Sequence, residues 1–206
     1  VGDVVEMLSR LHAAAPFVAV HAHEETGHAW TYARDRAVAA WCRGHGVTLR
    51  EWPQFGVVRG LRDRDGWQVR RGDFMTAQQV SCPQRIEGVA AVDVPHQWPV
   101  ASSLGLTDDE APRRQRGGRR EGLAVLHDFL SERSLRYRGG ISSPLSATSA
   151  CSRLSPYLAY GCLGLREVEQ ATQAQLAVLP PHVTSQRLGL QGFQSRLAWH
   201  CHFIQK

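Results

Sequence analysis

The chain has 206 residues, 43% of them apolar, with a formal net charge of +5. No stretch approaches the ~20 consecutive apolar residues of a membrane-spanning helix, so a spanning helix is excluded and no membrane partner is expected. The basic balance suits a nucleic-acid partner. Five cysteines (Cys42, Cys82, Cys151, Cys162, Cys201) are an odd number without a close pair, which argues against a disulfide framework or a zinc knuckle and for a reducing cytoplasm.

In chain order, residues 2–14 carry Val4, Val5, Leu8 and Leu11 at helical spacing, with Asp3 in the first turn. Pro16 breaks the pattern, and Phe17 to Val20 form a short apolar run expected of a buried parallel strand. Thr31 is a cap candidate for a helix over 32–43 with Ala33, Ala37, Val38 and Trp41 inward; residues 47–52 are a second strand. Strand, helix and strand make a parallel unit, whose ligands belong beyond the carboxyl ends of the strands. His21 and His23 lie at such an end, and the plainer reading is a polar loop rather than a metal pair. Residues 57–118 mix charges, turns and scattered prolines (Pro83, Pro95, Pro99, Pro112), which predicts an irregular connection. Arg113, Arg114, Arg116, Arg119 and Arg120 end it as a basic cluster, read either as a phosphate contact or as a solvated linker.

Residues 120–134 place Leu123, Leu126, Phe129 and Leu130 on one helical stripe, and 142–152 read as a loop rich in serine and threonine. In the segment Ser152-Arg153-Leu154-Ser155-Pro156-Tyr157-Leu158, Ser155 is the expected cap and Pro156 the first helical residue. Ser155→Ala should then cost about 1 kcal/mol. Two serines and an arginine beside a helix start suit a phosphate. Further helices are expected from Leu165 to about Leu176 and from near Ser185. The last has a core face (Leu190, Phe193, Leu197, Ile204) and a second face (Arg196, Trp199, His200, Phe203) that either lines a ligand site or packs.

The order of Tyr137, the Ser152 to Leu158 segment, Gly161-Cys162-Leu163-Gly164-Leu165-Arg166-Glu167-Val168 and Leu197-Ala198-Trp199-His200 resembles the flavin domain of the DNA photolyase/cryptochrome family. That family carries Thr-Ser-x-Leu-Ser-Pro-Tyr-Leu, Gly-x-Leu-Ser-x-Arg-x-Val and Glu-Leu-x-Trp-Arg-x-Phe segments. Tyr32-Ala33-Arg34-Asp35 likewise resembles the helix start after the strand in the family's N-terminal domain, which often holds an antenna chromophore.

The resemblance implies an α/β parallel-sheet N-terminal part followed by the start of an all-α FAD-binding domain. The expected boundaries are 1–80 for the α/β domain, 81–116 for a connector and 117–206 for the helical domain. It implies a fragment lacking the first strand and the C-terminal part of the flavin domain, one that on its own binds FAD weakly or not at all and does not repair DNA. FAD is the implied cofactor, with Tyr137, Cys151, Ser152, Arg153, Leu154 and Ser155 at its site. Damaged DNA is the implied partner, approached by Arg196, Trp199 and His200. Light-driven repair of a pyrimidine photoproduct is the implied activity; a cryptochrome-type photoreceptor and a flavin-free nucleic-acid binder are the alternatives. Three departures stand out. Cys151 takes the place of a Thr, a thiol being a weaker donor than a hydroxyl. Arg196 takes the place of the Glu that helps polarise the lesion in photolyases, and His200 takes the place of an Arg.

Overall fold

The computed structural model describes residues 2–88, 99–107, 111 and 114–205. By backbone contacts these fall into two units, one of residues 1–53 and 81–114, the other of residues 54–80 and 115–206. Pro95, Pro112 and Arg113 lie outside the described residues.

The first unit holds α1 (Val4–Ala14), β1 (Ala19–His23), α2 (Ala29–Gly44) and β2 (Thr48–Trp52). Asp3 is the N-cap of α1, its carboxylate accepting from the Val5 and Glu6 amides at 2.9 and 3.0 Å. The strands pair in parallel, with Ala19 opposite Thr48 and His23 opposite Trp52. β1 starts two residues later than the apolar run and takes in both histidines; the His21 ring accepts from the Trp52 indole N–H at 3.1 Å. The cap of α2 is His28, not Thr31, because Thr31 sits one turn in and its hydroxyl bonds back to the His28 backbone. Ala33 and Ala37 face outward, while Val38, Trp41 and Cys42 reach the small core with Val5, Leu8, Phe17, Val20, Val47 and Leu49.

The second unit is helical. It contains α3 (Trp67–Thr76), α4 (Arg119–Ser131), a 3-10 turn (Arg133–Arg136), the kinked α5 (Tyr137–Gly140), α6 (Pro144–Ala150), α7 (Ser155–Ala159), α8 (Leu165–Val178) and α9 (Thr184–Ile204). Two of these correct the sequence expectations. α6 occupies the expected loop over 142–152, started by the Ser143 hydroxyl on the Leu145 amide and by Pro144 in the first turn. α3 occupies part of the expected irregular connection: Trp67 and Met75, eight residues apart, are buried on one face, and the polar run between them hid that period.

Residues 54–80, expected with the α/β part, group with the helical unit for a physical reason. Val57, Trp67 and Met75 belong to its core. The Trp67 indole donates to the Gly56 carbonyl at 3.0 Å, and Gln205 bonds both backbone groups of Val58. Arg71 on α3 forms an almost buried ion pair with Glu169 on α8. Burial opposes the Arg71 charge, but Glu169 and then the Cys201 thiol outweigh it and hold its pKa up. Removing one member of such a buried pair costs roughly 3–5 kcal/mol, because the other charge stays behind.

Phe129, fully buried, centres this core. Its ring meets Tyr137 and Phe193 edge-on at 5.4 and 4.7 Å between centroids. Each such aromatic pair adds about 0.5–1.5 kcal/mol beyond the burial itself. Leu126 lies beside it, whereas Leu123, expected inward, is exposed. α9 docks on the end of α4 through Gln186, whose amide donates to the Leu130 and Ser131 carbonyls at 2.7 and 3.1 Å. Those are carbonyls that the helix end leaves without an intrahelical partner.

Gly189 makes that docking close: a Cβ there would stand 1.9 Å from the Ser134 carbonyl oxygen. In an open helix Gly→Ala gains about 1 kcal/mol. Here Gly189→Ala should instead destabilise by about 1–3 kcal/mol, the usual range for overpacking. Urea unfolding checks the sign; a raised midpoint would mean that α9 does not lie against this turn.

Candidate functional site

A cleft of about 760 Å³ opens in the helical unit. One wall is the turn from Cys151 to Ala159, the other is the face of α9 carrying Phe193, Arg196, Leu197 and His200, and Tyr137 and Gln115 line it as well. Tyr137, Cys151, Ser152, Arg153, Leu154, Ser155, Arg196 and His200, singled out in the sequence, therefore surround one space. Trp199 lines a neighbouring cleft of about 410 Å³ that shares Tyr137, Ile141 and Arg196 with the first. No residue lining either cleft among those described carries a carboxylate, whereas Arg138, Arg153 and Arg196 do line them.

The turn has an unusual backbone. Arg153 is the one non-glycine residue with positive φ among those described, at 58°. This left-handed conformation costs about 1–2 kcal/mol for a residue with a Cβ. Surrounding bonds hold it. The Gln115 amide donates to the Arg153 carbonyl at 2.9 Å. Arg133 donates to the carbonyls of Cys151 and Ser152. Leu154 then turns fully into the core, 1% exposed. Strained residues of this kind gather at binding sites.

The anticipated Ser155 cap is not formed. α7 spans five residues, its N-cap is Leu154, and no side-chain cap bond is made. Once Arg153 reverses the chain, Leu154 already adopts helical angles (φ −92°, ψ −12°), so the helix begins one residue early. Ser155 becomes the first helical residue, exposed beside the cleft. Its hydroxyl makes no cap bond to the backbone.

Across the cleft, Tyr137 is buried against Phe193 at 5.8 Å between centroids. Burial raises the pKa of its phenol, and the nearby Arg196 charge works the other way. The Arg196 guanidinium lies 3.9 Å over the Trp199 ring, a cation–π contact, with Trp199 still 46% exposed. His200 packs edge-on against Phe55 at 4.7 Å, and its buried Nδ1 has no hydrogen-bond partner among the described residues. Burial and then the Arg71 charge push the His200 pKa down, so the ring is neutral near pH 7.

Of the basic run, none of the described arginines lines the cleft. Arg114 falls in the first unit, and Arg116, Arg119 and Arg120 fall in the second. Arg119 forms a two-point pair with Glu167 at 2.9 and 2.6 Å, and that hydrogen bond, then its charge, lowers the Glu167 pKa. The basic run is thus partly taken up by structure. The sequence reading missed Arg133 and Gln115, which touch the turn from outside its motif. Their distance along the chain left no local signal.

Two measurements follow from this geometry. Ser155→Ala should change stability by less than about 0.5 kcal/mol, as expected for an exposed side chain without a cap bond; a loss near 1 kcal/mol in urea would restore the cap. For His200, the folded state resists protonation, so the unfolded chain binds more protons below the ordinary pKa of 6.5. Stability is full above that pH and falls as pH drops through the lowered folded pKa. Replacing His200 by Gln should flatten melting temperature between pH 7.5 and pH 5; an unchanged slope would show that His200 titrates normally.

No family model matches the chain, and no curated protein matches it. Among solved structures it is similar to a bacterial class III photolyase from Agrobacterium tumefaciens, with 20% identity and a TM-score of 0.67. The match covers 99% of this chain and 43% of that one, so the chain spans less than half the length of the protein whose fold it shares. A small parallel sheet followed by a mostly helical region is the arrangement expected of a photolyase-like fold.

Proposed function

We propose that the cleft is part of an FAD site in a photolyase-like flavoprotein that acts on damaged DNA. The observation that carries this reading is the juxtaposition itself. A strained, cation-bearing turn faces an aromatic and cationic helix stripe across a cleft of about 760 Å³. That volume lies within the usual range for small-molecule sites, roughly 300–1,000 Å³.

The donor set fits such a group. Ser152 and Ser155 hydroxyls and the Arg153 guanidinium suit a diphosphate, and no lining carboxylate among the described residues opposes it. Tyr137, Phe193, Leu197 and His200 offer the flatter, less polar surface that a ring system needs. The Nδ1 of neutral His200 is a further polar atom without a hydrogen-bond partner among the described residues. Cys151, in place of Thr, contributes a weaker donor.

Bound FAD supplies light-driven electron transfer. The chain's own part is to bind and orient it. Arg153, on the turn, would offer its guanidinium to the phosphates. Leu154 and Tyr137, locked in the core, fix the turn and the floor. Trp199 offers an exposed ring to a base, since stacking tolerates any base. Arg196 already lies over that ring, where photolyases carry a carboxylate for the lesion. This contact favours a second reading, a cryptochrome-type photoreceptor that uses the flavin without repairing DNA.

The experiment is a titration of the 206-residue chain with FAD, followed by flavin fluorescence. Saturable, weak binding is expected, reduced at least ten-fold by Arg153→Glu, since that change replaces a charge-assisted contact with a repulsion. Absence of saturable binding, or equal affinity for wild type and variant, would overturn the reading. Illumination of a dimer-containing oligonucleotide with the FAD-bound protein then separates repair from photoreception.

A further inference from the structure

The guanidinium of Arg133 bonds one carboxylate and three backbone carbonyls, two of which belong to the turn that lines the cleft. Its Nε bonds Asp128, its Nη1 bonds the Cys151 carbonyl, and its Nη2 bonds the carbonyls of Val125 at 3.0 Å and Ser152 at 3.4 Å. The group lies 5.8 Å over the Phe129 ring, at the centre of the core. One side chain, 12% exposed, therefore ties the interior of α4 to two successive carbonyls of the turn. The next carbonyl, that of Arg153, is held by Gln115. Three consecutive peptide units are fixed by their oxygens, and the residue between these anchors has φ of 58°.

Fixing the carbonyls fixes more than the chain path. A peptide unit is planar, so a pinned C=O sets the direction of the N–H on the following residue. The Arg153 and Leu154 amides and the Arg153 side chain are oriented by bonds made on the opposite side of the backbone. Arg133 suits this task because its planar fork reaches several carbonyls at once and keeps its charge. A lysine offers a point charge on a flexible stem.

We infer that Arg133 is a positioning residue for diphosphate recognition: it holds the Cys151 to Arg153 backbone so that the turn presents its donors to the phosphates of a dinucleotide. The inference rests on the reading of the cleft as an FAD site. It assigns to Arg133 the phosphate part of the ligand and no part of the ring.

That division supplies the test. FAD and riboflavin share the ring system, and only FAD carries the diphosphate. Affinities of the 206-residue chain for both are measured by flavin fluorescence, for wild type, Arg133→Ala and Arg133→Lys. Arg133→Ala should weaken FAD roughly ten-fold, the size expected when hydrogen bonding to a charged group is misaligned. Riboflavin binding should stay the same, so the preference for FAD over riboflavin collapses. A merely structural loss lowers both affinities together and keeps the ratio. Should Arg133→Ala fail to fold, Arg133→Lys retains the charge beside Asp128 and should show the same selective loss, smaller in size. A wild-type chain that binds neither flavin overturns the site reading and the inference with it. A wild-type chain that prefers FAD, with folded variants that keep the same preference, overturns the inference alone.

Discussion

The arrangement of the helical unit depends on how close α9 comes to the turn after α4. Residue 189 has no side chain, and the space a Cβ would fill is taken by the Ser134 carbonyl. Gln186, one turn earlier, closes the same contact by bonding the last carbonyls of α4. Because α9 is a single helix over 184–204, this one contact sets the height and rotation of everything beyond it. Phe193 is brought onto Phe129 and Tyr137, and Arg196 and His200 are brought to the cleft. A shift of α9 away from the turn would move both cleft residues and core rings together, since they alternate along the same helix.

The opposite wall is set by a different principle. The turn at Arg153 is unfavourable by itself, and nothing in its local sequence makes it favourable. It is held by carbonyl bonds from residues 115 and 133, both outside the motif. The two walls therefore converge on one region of the core: Arg133 lies over Phe129, and Phe129 touches Phe193 of α9. Strain on one wall and close packing on the other are linked through a single buried ring.

The sequence revealed this geometry unevenly, for reasons that can be named. The apolar period of α9 showed which residues face the core, because Leu190, Phe193 and Leu197 recur at helical spacing over a long element. The Ser152 to Leu158 segment showed where a helix starts, yet its cap was misplaced by one residue. A left-handed arginine is not something local propensity anticipates, and it moved the helix start to Leu154. α3 went unseen because four polar or small residues, Arg70 to Asp73, interrupt its apolar face. Its partners, Glu169 and Gln170 on α8, lie almost a hundred residues away. Arg133 and Gln115 were invisible for the same reason: their role is to bond carbonyls, and a carbonyl has no letter in the sequence.

The central claim is that the Cys151 to Ser155 turn and the Phe193 to His200 face of α9 close on one FAD molecule. Amide hydrogen exchange of the chain with and without saturating FAD tests it most directly. The account predicts slower exchange confined to residues 151–155 and the adjoining turns of α9, with the sheet residues of the first unit unchanged. Protection of the sheet, or of neither wall, would contradict it.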